Sequence, residues 1–77
     1  LNETKLKVGE LVYYCLHTQF PKLKDTMSVE NLKNTFDLDM GVVISEEDDL
    51  GYLNLYSQAR EKSIPVHKEF IKVLTNG

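Results

Sequence analysis

Leu11-Val12-Tyr13-Tyr14-Cys15-Leu16 is the longest uninterrupted apolar run in the chain, and it reads in two ways. Its β-branched and aromatic composition suits a strand. Its surroundings favour a helix, because Val8, Leu11, Val12, Cys15, Leu16 and Phe20 recur at three- and four-residue spacing and so share one stripe of a coil. On that spacing the run belongs to a first helix over about residues 4–20. Asn2 or Thr4 caps its start, and Pro21 stops it by biasing Phe20 away from helical geometry. Gly9 inside such a helix costs about 1 kcal/mol relative to alanine. Tyr13 and Tyr14 widen the apolar surface beyond a single stripe.

Working outward, Ser28 reads as the N-cap of a second helix over 28–37, with Met27 and Leu32 spaced for a hydrophobic staple and Gly41 closing the segment. Val42-Val43-Ile44 is a short β-branched run, expected to be an extended connector or one strand of a small hairpin, with too little partner strand for a real sheet. Ser45 followed by Glu46, Glu47, Asp48 and Asp49 has the composition of a helix N-terminus, where the helix dipole favours negative charge. Leu50, Leu53, Tyr56 and Ala59 then continue at helical spacing over 45–62. Pro65 suits a first helical turn, with Val66, Phe70, Val73 and Leu74 as the buried side of a fourth helix over 64–75 and Asn76-Gly77 as its stop. The expected fold is therefore all-α, a three- to four-helix bundle in one domain over 1–77, with one short extended segment near 42–44.

The composition bounds the function classes. At 42% hydrophobic and 27% charged, the chain of 77 residues is globular in character. No stretch approaches the ~18–20 apolar residues of a membrane span. A single cysteine, Cys15, excludes an internal disulfide and reads as a small core residue in a reducing, cytoplasmic setting. No signal peptide is evident, and a start at Leu1 is compatible with a domain cut from a longer protein. The net charge of −3 is unevenly spread: residues 28–50 set Lys33 against seven carboxylates, while the flanking arms are mildly basic. An acidic chain with eight lysines and one arginine is a poor match to nucleic acid, whose binding rests on phosphate neutralisation.

No catalytic, metal or cofactor constellation emerges. Reading Asp37 as the first position of an EF-hand loop puts glycine one place early and a short Asp48 where a bidentate glutamate belongs. Cys15 and His17 lie two apart, on different faces of a helix, and His67 is remote in sequence. The glycines are isolated, so no phosphate loop exists. What remains is an excess of aromatic surface. Tyr13, Tyr14, Tyr52, Leu55 and Tyr56 exceed what one stripe per helix requires, and they mark an expected partner surface built from the first and third helices. The expected function is a non-enzymatic protein-interaction or regulatory module, binding a protein partner or a second copy of itself, without a cofactor. The alternative is a small DNA-associated regulator using Lys62, Lys68 and Lys72 on a basic C-terminal helix.

Overall fold

In a computed structural model, which describes residues 6–74, Leu11–Tyr14 forms a strand, β1. Val12 and Tyr14 point inward and are fully buried, whereas Leu11 is exposed and Tyr13 half-buried. The period is two, that of a pleated strand, not the 3.6 of a helix. The same alternation governs β3, Tyr52–Ser57, where Leu53, Leu55 and Ser57 are buried and Tyr52, Asn54 and Tyr56 are exposed. Strands β2 (Asp39–Val43), β4 (Lys62–His67) and β5 (Ile71–Val73) complete one antiparallel sheet in the order β4-β3-β2-β1-β5.

The all-α bundle is thereby overturned. The segment assigned to the first helix is a turn around Gly9, β1 and a loop; its proposed caps and start, residues 2–5, lie outside the described residues. Pro21 opens the one-turn helix α1 (Phe20–Leu23) where it was expected to end a long one, in keeping with the ease of proline in a first helical turn. The third and fourth expected helices are β3, β4, a 3₁₀ turn at Lys68–Phe70 and β5, while the Asn76-Gly77 stop lies outside the described residues. The second stretch is helical: α2 spans Val29–Thr35, and the Ser28 hydroxyl accepts the Asn31 N–H at 3.2 Å. Val42-Val43-Ile44 is extended as expected, but it belongs to β2 and its continuation, with full partners on both sides.

Connectivity forces the sheet to curl. Strands β4 and β5 are the two edges, four spacings apart, which in a flat sheet is roughly 19 Å. Only the three-residue 3₁₀ turn joins them, and at about 2 Å rise per residue it spans less than half that distance. The edges must therefore bend toward each other, and the inner core confirms it. Val66 from one edge and Ile71 from the other sit in a single buried cluster with Val12, Tyr14, Val43, Leu53 and Leu55. The one buried polar side chain of that core, Ser57, is satisfied: its hydroxyl accepts the Tyr14 O–H at 2.7 Å and the Arg60 N–H at 3.2 Å.

The long β1–β2 connection carries its own small core of Cys15, Phe20, Leu32 and Phe36, with Leu23, Met27 and Leu38 packed against it. A pair of lysines ties this unit to the strands. The Lys24 ammonium donates to the carbonyls of Lys68 (3.2 Å) and Ile71 (3.0 Å), and the Lys72 ammonium donates to the carbonyl of Lys24 (2.8 Å). Burial, then the neighbouring Lys72 and Lys68 charges, pull Lys24 below the ordinary lysine value, against Asp25 and Glu69.

Candidate functional site

The strand register defines a second face. Pairing sets Leu11 beside Val42 and Val42 beside Tyr56, so that one row of outward side chains crosses β1, β2 and β3. One row toward α2, Tyr13 stands beside Met40. One row the other way, the Ile44 N–H bonds the Asn54 carbonyl, and Asn54 faces Pro65 of β4. Beyond that, Tyr52 faces His67, whose rings meet edge to face at 5.0 Å. Leu11, Ile44, Tyr52 and Tyr56 are each 40–45% exposed. Among these outward positions of β1 to β4 stands no Asp, Glu, Lys or Arg, in a chain that is 27% charged. The solvent side of an antiparallel sheet is ordinarily the polar side. Loss of charge combined with enrichment in tyrosine is the composition of an interface core.

The rim is charged. At the Tyr13 end, Lys33 of α2 lies with its ammonium 5.2 Å from the Tyr13 ring centre, and Lys72 of β5 is Tyr13's partner on the other side. Contact with Tyr13 raises Lys33 above the ordinary lysine value. At the opposite end, the β2–β3 turn carries Glu46, Glu47, Asp48 and Asp49. The Asp48 carboxylate builds that turn by accepting the N–H groups of Leu50 and Tyr52, both at 2.9 Å. These bonds, led by that from Tyr52, hold Asp48 below its ordinary value of 3.8. A carboxylate depressed in the folded state stabilises fully above the unfolded value, and that contribution disappears as pH falls through the folded one. Urea midpoints measured from pH 7 to pH 2 are therefore expected to fall less steeply below pH 3.8 in Asp48→Asn than in the wild type. Equal slopes would remove Asp48 from the turn's stability.

Of the residues the sequence singled out, Tyr13, Tyr52 and Tyr56 lie on this face. Tyr14 and Leu55 do not: one residue out of phase with their neighbours, they point inward at 1% and 0% exposure. Leu11, Val42 and Ile44 belong to the face and were missed, because helical spacing scattered them over separate elements. Lys62, Lys68 and Lys72 share no helix: they sit in β4, in the 3₁₀ turn and in β5. Lys68 pairs with Glu47 at 3.1 Å, and Lys72 is bound to the Lys24 carbonyl.

A cleft of about 910 Å³ lies between the N-terminal segment, the acidic turn and the 3₁₀ turn. Its lining mixes Lys7, Lys24 and Lys68 with Glu46, Glu47, Asp48 and Glu69, and within it Lys68 pairs with Glu47. Among the described residues, no group of three His, Cys, Asp or Glu is placed to hold a metal ion. His17 packs against Phe36 with the rings tilted and their centres 5.2 Å apart, and Cys15 is buried in the helical unit. No helix among the described residues is long and apolar enough to cross a membrane. Compared with protein-family models, curated proteins and solved structures, the chain matches none.

Proposed function

We propose that this is a non-enzymatic protein-interaction domain whose contact surface is the outer face of β1, β2 and β3. The observation that carries the proposal is the uncharged row Leu11–Val42–Tyr56, flanked by Tyr13 and Tyr52, on the side of the sheet that faces solvent. Tyrosine supplies large contact area at low entropic cost and keeps its hydroxyl available to a partner. The face, not the edge, is the contact surface. Edge strand β4 carries Pro65, which has no N–H to offer an added strand, and edge strand β5 is three residues long. A lone buried cysteine suits a reducing compartment such as the cytoplasm.

Site-specific photo-cross-linking in the cell tests this. A benzophenone side chain at position 56 is expected to give discrete protein adducts, and one at Lys22, exposed on α1, is not. Adducts no more abundant at 56 than at 22 would overturn the proposal.

A further inference from the structure

We infer that the occupant of this face is a second copy of the chain, packed sheet to sheet with its strands running head to tail. The inference rests on the outer face being the contact surface and goes on to name what covers it.

A two-fold interface places the same patch against itself, so a patch of one charge sign repels its own copy. The Leu11–Val42–Tyr56 row and its neighbours carry no charge and escape that penalty. With the strands of the two copies nearly aligned across the contact, the two-fold axis can run along the strands or across them.

The rim selects between them. One end of the face is the acidic turn Glu46 to Asp49, within which Glu47 pairs with Lys68. The other end carries Lys33 over the Tyr13 ring, while Lys72, also beside Tyr13, keeps its ammonium on the Lys24 carbonyl. Farther out at that end stand Arg60 and Lys62 together with Asp37, Asp39 and Glu61. An axis along the strands stacks acidic turn on acidic turn. An axis across the strands brings each acidic turn onto the partner's Lys33. Head-to-tail pairing is therefore the arrangement in which both rims attract.

Sedimentation across micromolar to millimolar concentration tests the inference. The wild type is expected to pass from monomer to dimer, and Tyr56→Lys to raise the dissociation constant at least about tenfold with an unchanged melting temperature. Val42→Lys on the same row serves as a second probe should Tyr56→Lys be poorly folded. Lys33→Glu is expected to weaken the dimer several-fold, and Lys33→Glu combined with Asp49→Lys to restore it. A wild type monomeric at millimolar concentration, or a charge swap that restores nothing, would overturn the head-to-tail dimer. Adducts from position 56 to a different protein would leave the face as the contact surface while removing the second copy as its occupant. Absence of both self-association and adducts would remove the face as well.

Discussion

Leu55→Ala is expected to lower the unfolding free energy by about 2–5 kcal/mol, the usual cost of emptying a leucine site in a packed core. Leu55 is 0% exposed, stands between Val43 of β2 and Ile64 of β4, and belongs to the cluster that closes the curled sheet. For a chain of 77 residues the whole margin is only about 4–12 kcal/mol at the typical per-residue stability. The variant should accordingly show a urea midpoint far below that of the wild type, or no folded baseline at all. Tyr56→Ala, one residue on and outward-facing, should move the midpoint by less than about 1 kcal/mol equivalent. Equal losses in the two variants would contradict the assignment of faces.

Gly51→Val is expected to cost about 2–5 kcal/mol, from two penalties that add. Gly51 closes the acidic turn at φ +91°, where any side chain is strained by roughly 1–2 kcal/mol and a β-branched one by more. A Cβ there would also stand 2.6 Å from Nε2 of His67, whose ring lies across the glycine. Relief requires moving His67 off Tyr52, against which it packs at 5.0 Å, and off the Glu69 N–H, which its Nδ1 accepts at 3.2 Å. Such overlap typically costs a further ~1–3 kcal/mol. A thermal melt is the simplest readout. Gly9→Val shares the positive φ but meets nothing within 4 Å, so its smaller loss would isolate the backbone part. If the two variants lose equal stability, the His67 contact carries none of the effect.

The misreading of β1 and β3 has a physical cause that is also functional. Alternation identifies a strand only when one face is polar. In Tyr52-Leu53-Asn54-Leu55-Tyr56-Ser57 the outward tyrosines are nearly as apolar as the inward leucines, so the two-residue beat is muted. In such a run, three- and four-residue spacings arise by default, and Leu53 with Tyr56 passes for a helical pair. The property that hid the strands is the one that makes their outer face a candidate contact surface, a local rule broken where function is proposed. The acidic turn misled for a related reason: a carboxylate that satisfies free N–H groups serves a turn as well as a helix start, and Asp48 does the former. Pro65 likewise fits an edge strand as readily as a helical first turn.

Other features were readable. Ser28, with Met27 and Leu32, marked α2 through local chemistry that tertiary context did not displace. The aromatic excess was visible, and three of the five residues named for it do face solvent. What no local pattern could supply is the pairing of β1 with β5, Val12 beside Val73, which joins residues about sixty positions apart and determines the curl.

The division of one strand into a folding side and a binding side is tested most directly by a lysine scan of residues 52 to 57, read as urea midpoint. Lysine at Leu53, Leu55 and Ser57 is expected to abolish or gravely reduce folding, and lysine at Tyr52, Asn54 and Tyr56 to leave the midpoint close to the wild type. Losses recurring every third or fourth residue, with Leu53 and Tyr56 failing together and Leu55 tolerant, would contradict the sheet and the outer face with it.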